Sequence, residues 1–291
     1  MKPASFEYHS PKNIDEALSL VATLENAKLL AGGQTLMPMI NFRFLMPDHI
    51  IDLNKIAELQ SIRQQGARLV IGAMTRQRDI ERSPLVQRTA PLIPEAYALV
   101  SHRQIRNRGT LGGSLCHLDP SSEQPCFLAA QGATLCVRGS QGERRVAMQD
   151  WVLMYMTPAL EPDELLVSIE CDLWPEGHGW AFTEYARRQG DYAIVGVAVL
   201  ATCDAARRLT RVAVAICGVA AAPLRLTEVE QAVLGQPADE DTIRLIAAHA
   251  TEIDAMADAH VSADYRRHLA GVLTGRALAT AFARMRAPGA A

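Results

Sequence analysis

Two short glycine clusters are the residues of this sequence best suited to bind a ligand. They are Ala31-Gly32-Gly33-Gln34-Thr35 and Thr110-Leu111-Gly112-Gly113-Ser114. A glycine pair lets the backbone approach a ligand closely, and the amide and hydroxyl groups beside it can donate hydrogen bonds to phosphate oxygens. One such cluster would most often be a simple turn. Two with similar order predict two backbone loops that close on one diphosphate, and a dinucleotide is the natural ligand.

Other well-known ligand-binding patterns do not occur in the sequence. Neither cluster has the spacing G-x-G-x-x-G or G-x-x-x-x-G-K-[ST], which disfavours a Rossmann fold and a P-loop nucleotidase. The six cysteines never approach C-x-x-C spacing, which disfavours zinc or iron–sulfur ligation by this chain. No Ser-His-Asp order or H-E-x-x-H pattern supports hydrolytic or metal chemistry.

Single polar residues near the second cluster are further candidates. Glu123, near the start of a predicted helix, could accept hydrogen bonds from a ribose diol, or it could simply complement the helix dipole. Asp119 competes for both roles. His102 and His117 flank the cluster and could bind a ligand, although a lone histidine is more often structural.

Residues 185–192 combine two arginines, an acid and two tyrosines directly before an apolar strand. Arg187 could neutralise a diphosphate, and Tyr192 could cover the face of a ring system. The alternative is a charged turn anchored by a tyrosine.

The composition is that of an ordinary globular protein with room for two domains. The chain has 291 residues, 49% of them hydrophobic and 21% charged, and a net charge of -3. This charge predicts no nucleic-acid partner. No run of about 18 apolar residues predicts a membrane span, and the start lacks a signal-peptide pattern. We expect a cytoplasmic protein with reduced, mostly buried cysteines.

Periodicity predicts a compact β-α-β start. Asn13 and Glu16 cap a helix, a strand covers residues 28–31, a second helix covers 36–45, and a strand covers 49–53. The second block predicts a strand at 68–74, a helix capped by Thr75 and a helix over 94–104. It continues with a helix opened by Asp119-Pro120 that ends at Gly132, a hairpin at 133–146 and a strand at 165–170.

Residues 174–179 predict a linker, and strands then helices follow it. The strands are expected at 180–186, 194–202 and 209–219. The helices are expected after Thr227, with Glu230 in a capping box, at 241–250 and at 262–285. This order suggests an α+β domain with an antiparallel sheet.

The sequence resembles the medium, FAD-binding subunit of the molybdenum hydroxylases, a group that includes xanthine dehydrogenases and carbon monoxide dehydrogenase. The resemblance covers essentially the whole chain. Besides the two glycine clusters, it is carried by Phe6-Glu7-Tyr8-His9-Ser10-Pro11, Asp15-Glu16-Ala17-Leu18, Ile51-Asp52-Leu53, Ile105-Arg106-Asn107-Arg108-Gly109, Glu161-Pro162-Asp163-Glu164-Leu165-Leu166 and Arg187-Arg188-Gln189-Gly190-Asp191-Tyr192-Ala193.

The resemblance implies an α+β fold. Residues 1–175 would form a two-lobed PCMH-type FAD-binding domain, with lobes at about 1–56 and 57–175. Residues 178–287 would form a C-terminal domain like that of the carbon monoxide dehydrogenase flavoprotein, with a three-stranded antiparallel sheet and helices.

The resemblance also implies a set of FAD-binding residues. The first glycine cluster would wrap the diphosphate from one side and the second cluster from the other. Glu123 would lie near the ribose, and Leu166, Val100 and Tyr192 would lie near the flavin. The full set is Leu29, Leu30, Ala31, Gly32, Gly33, Gln34, Thr35, Leu36, Val100, Thr110, Leu111, Gly112, Gly113, Ser114, Glu123, Leu166, Arg187 and Tyr192. Gln34 and Thr35 depart from the residues common in relatives, and Thr183 replaces a lysine that some relatives carry.

As a function, the resemblance implies an electron-transfer subunit. A large subunit would hold a molybdopterin cofactor and hydroxylate the substrate, and a small subunit would carry two [2Fe-2S] clusters. The flavin would pass the electrons to an external acceptor, and no side chain of this chain would act as acid, base or nucleophile. A heterotrimer that pairs into a six-chain particle is expected, with arginines of residues 103–108 at subunit contacts.

Several points stay open at this level. The substrate (an N-heteroaromatic compound, a purine, an aldehyde or CO) is recognised by the large subunit. The acceptor is NAD+, oxygen, a quinone or a cytochrome. Two rival functions are a self-contained FAD-dependent reductase of the cell-wall precursor type and a flavin-free scaffold subunit.

Overall fold

The structure is a computed structural model, and it describes residues 1–286. Short 3₁₀ turns lie at Leu53–Lys55, Ala57–Leu59 and Met148–Asp150. In chain order the strands and helices are β1 (Glu7–His9), α1 (Ile14–Thr23), β2 (Ala27–Leu30), α2 (Leu36–Asn41), β3 (His49–Asp52), β4 (Ile62–Gln65), β5 (Arg68–Gly72), α3 (Gln77–Arg82), α4 (Pro84–Thr89), α5 (Leu92–Tyr97), α6 (Arg103–Arg106), α7 (Leu111–His117), α8 (Glu123–Gln131), β6 (Thr134–Gly139), β7 (Gly142–Ala147), β8 (Val152–Met154), β9 (Thr157–Pro158), β10 (Leu165–Asp172), β11 (Gly179–Tyr185), β12 (Val195–Cys203), β13 (Leu209–Cys217), β14 (Leu224–Arg225), α9 (Thr227–Ala232), α10 (Glu240–His249) and α11 (Ala263–Arg284).

The N-terminal lobe is a parallel sheet of three strands in the order β1-β3-β2, with α1 against it. The predicted cap of α1 is confirmed, since the Asn13 side chain accepts a hydrogen bond of 2.8 Å from the Glu16 amide. Buried Ile14 and Ala17 of α1 share a core with Ile51 of β3. Because β2 and β3 are parallel, both end at the same edge of the sheet, and the first glycine cluster follows β2 there.

The second lobe is an antiparallel sheet of five strands in the order β4-β5-β10-β6-β7, covered by short helices. The predicted hairpin is confirmed as β6 and β7. The predicted cap at Thr75 is wrong, because its hydroxyl donates instead to the Ser61 carbonyl (3.1 Å), and α3 begins two residues later. A tertiary contact with the residue directly before β4 replaces a local cap here.

Two predicted helices in this lobe are shorter than expected. The helix over 94–104 is interrupted, because Ser101 has a φ of 45° and the Arg106 guanidinium donates to the carbonyls of Val100 (2.8 Å) and Ser101 (3.1 Å). The helix expected at Asp119-Pro120 begins only at Glu123. The Asp119 carboxylate accepts from the Ser121 amide (2.9 Å) and closes a turn instead.

The C-terminal domain contains an antiparallel sheet of four strands, β11-β12-β13-β14, where three were expected. The fourth strand has two residues, which is too short to leave an alternating pattern in the sequence. The capping box expected at Thr227 is also wrong, because the cap position is Leu226. The Glu230 carboxylate is buried and accepts from the Val214 amide (2.8 Å) and from Arg225.

The C-terminal sheet packs on both faces. Helix α11 lies against β11 and β12, and α8 of the preceding domain lies against β12 and β13. Glu95 of α5 joins the two domains further, because its carboxylate accepts from the Trp180 indole (3.1 Å), the Phe182 amide (3.0 Å) and Arg284 (2.6 Å). The connection between them places Trp174 in the core beneath the Arg211 guanidinium, 3.9 Å from the ring centre. Within residues 1–286, no helix is both long and apolar enough to cross a membrane.

Candidate functional site

A cleft of about 630 Å³ lies where both lobes and one turn of the C-terminal domain converge. Its size is within the range of small-molecule and cofactor sites. Both glycine clusters line it. Of the residues predicted to bind a cofactor, all but three contribute to its walls, namely Leu29, Ala31, Gly32, Gly33, Gln34, Thr35, Leu36, Val100, Thr110, Gly112, Gly113, Ser114, Glu123, Leu166 and Tyr192.

The remaining three predicted residues lie outside the cleft. Leu30 is half-buried beside Gly33, and a Cβ at Gly33 would lie 3.3 Å from the Leu30 Cδ1. Leu111 is buried in the core of the second lobe. Arg187 is exposed on the turn between β11 and β12 and does not reach the cleft walls.

The first glycine cluster lies in close contact with the second cluster and with the residues directly before it. A Cβ placed on Gly32 would lie 2.3 Å from the Arg108 carbonyl oxygen and 2.8 Å from the Gly109 Cα. A Cβ placed on Gly113 would lie 3.2 Å from the Ala31 Cβ. Only glycine permits this approach at Gly32, because both neighbouring atoms belong to the backbone.

The first cluster offers free hydrogen-bond donors. The amides of Gly32, Gly33, Gln34 and Thr35 donate to no other group in the described part of the chain. Gly33 has a φ of 72°, a conformation that glycine adopts without strain. The Gln34 side chain donates back to the Gly32 carbonyl at 3.0 Å and closes the turn. Successive free amides in such a turn suit an anionic ligand.

The second cluster is built differently from the loop that the sequence predicted. It forms the first turn of α7, with Thr110 as the cap whose hydroxyl accepts from the Gly113 amide (3.1 Å). The amides of Leu111 and Gly112 donate to carbonyls of Thr75 (3.2 Å) and Ala73 (2.8 Å). These amides are therefore already hydrogen-bonded within the protein, and the second cluster contributes a close-packed wall to the cleft. The Ser114 hydroxyl, 3.1 Å from that of Ser122, is its polar group towards the cleft.

A polar bridge that sequence reasoning missed ties the lobes together at this point. The Arg76 guanidinium donates to the Arg108 carbonyl of the second lobe and to the Asn54 side-chain oxygen of the first. The Asn54 amide group donates in turn to the Ala31 carbonyl at 2.9 Å. This chain of contacts fixes the position of the first glycine cluster against the second.

The bridge continues to Asp52, the central residue of the Ile-Asp-Leu motif. Its carboxylate accepts hydrogen bonds from the Asn54 backbone amide (2.9 Å) and from the Tyr8 hydroxyl. Burial raises the pKa of Asp52, but the hydrogen bonds from Tyr8 and Asn54 and the nearby Arg108 lower it, and the net shift is downward. The carboxylate is therefore charged at neutral pH and supports the bridge.

Glu123 lies at the other side of the cleft and is only 3% exposed. Burial raises its pKa to about 8, and the nearby carboxyl groups of Glu184 and Asp119 add to the increase. A mainly protonated carboxyl at neutral pH can both donate and accept hydrogen bonds. The Glu123 backbone amide, at the start of α8, opposes part of the increase in pKa, and the position of the residue in the cleft wall also allows contact with a ligand.

The turn at the start of the C-terminal domain closes the cleft. Gly190 has a φ of 86°, and a Cβ on it would lie 2.4 Å from the His102 Cε1, so this turn packs on the histidine ring. Tyr192, which follows the turn, lines the cleft with 55% of its surface exposed. His102 thus has a structural role, whereas His117 lines the cleft and burial lowers its pKa.

Several cleft residues had no local signal in the sequence. Gln77 lies at the junction of the lobes, and its side-chain oxygen is buried without a hydrogen-bond partner among the described residues. Met39, Leu45, Met156 and Leu160 add apolar walls. In the sequence these residues look like ordinary helix or loop positions. They come together at the cleft only when the chain is folded.

These observations define a class of protein. The free amides beside the contact of Gly32 with Arg108 suit an anionic group such as a diphosphate, and the buried polar groups of Gln77 and Glu123 can form further hydrogen bonds with a ligand. The fold and cleft are those of a two-lobed dinucleotide-binding protein.

Comparison with known proteins identifies the family. Residues 4–171 match the FAD binding domain in molybdopterin dehydrogenase, and residues 180–281 match the CO dehydrogenase flavoprotein C-terminal domain. The carbon monoxide dehydrogenase medium chain of Hydrogenophaga pseudoflava is 38% identical over 287 residues, 98% of this chain and 99% of that protein. Caffeine dehydrogenase subunit beta of Pseudomonas sp. (strain CBB1) is 38% identical over 284 residues, 97% of this chain and 96% of that protein.

The fold agrees with this match. The structure of a carbon monoxide dehydrogenase from Hydrogenophaga pseudoflava contains a chain that superposes with a TM-score of 0.94 at 38% identity, covering 98% of this chain and 100% of that one. The protein therefore belongs to the FAD-binding medium subunits of the xanthine dehydrogenase-family molybdenum hydroxylases. It is an oxidoreductase subunit with an FAD-binding domain, and its relatives are subunits of multi-subunit enzymes.

Proposed function

We propose that this chain holds FAD in the cleft between its lobes and is the electron-exit subunit of a molybdenum hydroxylase. The observation that carries the proposal is the backbone contact of Gly32 with Arg108 and Gly109, beside which the four free amides of residues 32–35 belong to the wall of a cavity of about 630 Å³. The diphosphate of FAD fits these donors together with the Ser114 hydroxyl.

The other cleft residues position the rest of the ligand. Glu123, buried in the cleft wall with a raised pKa, would hydrogen-bond a ribose hydroxyl of the ligand. Val100, Leu166 and Tyr192 provide apolar and aromatic surface for the ring system. When bound, FAD would supply a redox group that can take up and give up one or two electrons. The side chains bind and orient, and none is proposed as a catalytic acid, base or nucleophile.

We propose further that the chain assembles with a large molybdopterin-binding subunit and a small subunit with two [2Fe-2S] clusters, in a cytoplasmic heterotrimer that pairs into a six-chain particle. The support is the near-complete match to the medium chain of a carbon monoxide dehydrogenase. Of the arginines expected at subunit contacts, Arg103 and Arg108 are exposed. Arg106 is buried and forms an ion pair with Glu81 (3.0 Å), so we do not propose it as a subunit contact.

The assembly is tested by purifying the complex through a tag on this chain from the organism that produces it. We expect two further subunits to co-purify, with one molybdenum and one FAD for each copy of the chain and with bound iron. Rapid mixing of the complex with its substrate should bleach the flavin absorbance. A tagged chain that purifies alone from cells with an active molybdenum hydroxylase would contradict the assembly.

Two rival functions predict different results. A self-contained reductase would turn over a small substrate with NAD(P)H as the isolated chain. A scaffold without flavin would co-purify with both partners but show no flavin absorbance. The family match and the intact glycine clusters favour the electron-transfer subunit over both.

A further inference from the structure

A second group of ligating side chains lies outside the cleft, on the N-terminal sheet. Glu7 and His9 belong to β1, and His49 begins β3. Glu7 is in register with His49 in the parallel pairing of these strands. Because side chains alternate along a strand, Glu7 and His9 lie on the same face, and His49 lies beside them. None of the three residues lines the FAD cleft.

The ligand atoms of the three side chains converge. The His9 Nε2 and His49 Nδ1 atoms are 3.2 Å apart, the His49 Nδ1 and Glu7 Oε2 atoms 3.5 Å apart, and the His9 Nε2 and Glu7 Oε2 atoms 4.0 Å apart. Ligands at about 2.0–2.1 Å from a tetrahedral zinc ion are separated by roughly 3.3–3.4 Å. The observed spacings bracket this value, and the largest change is in the distance from His9 to Glu7, which would shorten by roughly 0.6–0.7 Å as the exposed Glu7 side chain rotates.

We propose that Glu7, His9 and His49 form a binding site for a divalent transition-metal ion of the zinc type. Two imidazoles and one carboxylate suit zinc, nickel or copper better than magnesium or calcium, which prefer oxygen ligands only. The Glu7 side chain is 74% exposed and the histidines are 23% and 20% exposed, so an ion and a water ligand have access from solvent. The site was not expected from the sequence, because His49 lies 40 residues after His9.

A metal ion at this site would connect β1 to β3. Strand β1 has three residues and, within the described part of the chain, pairs with β3 alone, so few contacts hold it to the sheet. Tyr8, between the two ligands of β1, donates to Asp52, which supports the bridge between the lobes. A metal ion shared by β1 and β3 would fix this strand and stabilise the N-terminal lobe.

The test uses the full chain without a polyhistidine tag, freed of metals by a chelator and titrated with Zn²⁺ near neutral pH. Calorimetry should show one site, and Zn²⁺ should raise the melting temperature. His9→Ala and His49→Ala should each weaken binding by about tenfold or more, and Glu7→Gln should weaken it less. His260→Ala, which changes an exposed histidine away from the cluster, is the matched control and should bind like the parent.

A second probe separates this site from adventitious binding to cysteines. Co²⁺ at the proposed site should give visible d–d bands without the thiolate charge-transfer band that a cysteine ligand produces. Circular dichroism of each variant verifies its fold. The proposal is overturned if the His9→Ala and His49→Ala proteins are folded and bind Zn²⁺ as the parent does. It is equally overturned if the parent binds none, in which case the two rings form only a hydrogen bond.

Discussion

Replacement of Gly32 by alanine tests the contact on which the cofactor site depends. The added Cβ would lie 2.3 Å from the Arg108 carbonyl oxygen, about 1 Å closer than an ordinary contact, and 2.8 Å from the Gly109 Cα. Neither atom can rotate away, because both are backbone. The φ of Gly32 is not in the left-handed region, so the substitution adds bulk without backbone strain.

The magnitude follows from the cost of overpacking. Extra methyl groups forced into a packed contact cost about 1–3 kcal/mol. If the loops separate to relieve the clash, the free amides of the first cluster leave their position, and this cost appears in ligand binding. At about 1.4 kcal/mol for each factor of ten, Gly32→Ala should weaken FAD binding by roughly 5- to 150-fold.

The assay is a titration of the apo chain with FAD, followed by flavin fluorescence, together with a urea unfolding curve. Gly275→Ala is the matched control, because the nearest atom to its new Cβ is 3.7 Å away and the position lies inside α11. We expect the control to bind FAD normally and to be more stable by about 0.5–1 kcal/mol. If Gly32→Ala binds FAD and unfolds like the parent, the lobes do not meet as described.

Three further substitutions test other parts of the structure. The folded state raises the pKa of Glu123 to about 8, so the folded parent binds this proton more tightly than the unfolded chain and should lose stability, of the order of a few kcal/mol, as the pH rises from about 5 to 8. Glu123→Gln in the apo chain should remove this loss in melting curves recorded at several pH values. Variant and parent curves with the same pH dependence would mean that the carboxyl is solvated. Glu95→Ala should destabilise the protein by about 1–3 kcal/mol in urea, because the Trp180 indole and the Phe182 amide lose their shared, half-buried acceptor. An unchanged midpoint would mean that the contact between the domains does not depend on Glu95. Arg76→Met should weaken FAD binding by about tenfold in the same fluorescence titration, because the lobes lose their polar bridge. Unaltered affinity would mean that the bridge does not position the FAD site.

The sequence predicted those features that depend on local pattern. The capped helix α1 follows from Asn13 and Glu16, which lie three residues apart and bond each other. The long strands of the C-terminal sheet follow from continuous apolar runs buried on both faces. The glycine clusters could be recognised because close backbone approach requires glycine itself, as at Gly32.

The remaining features depend on contacts between distant parts of the chain. Thr75 and Glu230 have the residue types of helix caps, but Thr75 bonds to Ser61, directly before β4, and Glu230 bonds to Val214 of β13. The second glycine cluster begins a helix because its amides find the carbonyls of Ala73 and Thr75, which lie more than thirty residues earlier. Arg76 joins two lobes and gives no signal in its own segment. Such contacts are decided by tertiary packing, which a single sequence does not display.

The central claim is that this chain itself holds FAD between its lobes. It is tested most directly by reconstituting the purified full chain with FAD, removing free cofactor, and measuring flavin absorbance against protein concentration. We predict a yellow protein with one FAD for each chain, and a substoichiometric product for the Gly32→Ala variant prepared in parallel. A colourless parent chain that cannot be loaded with FAD would contradict the account.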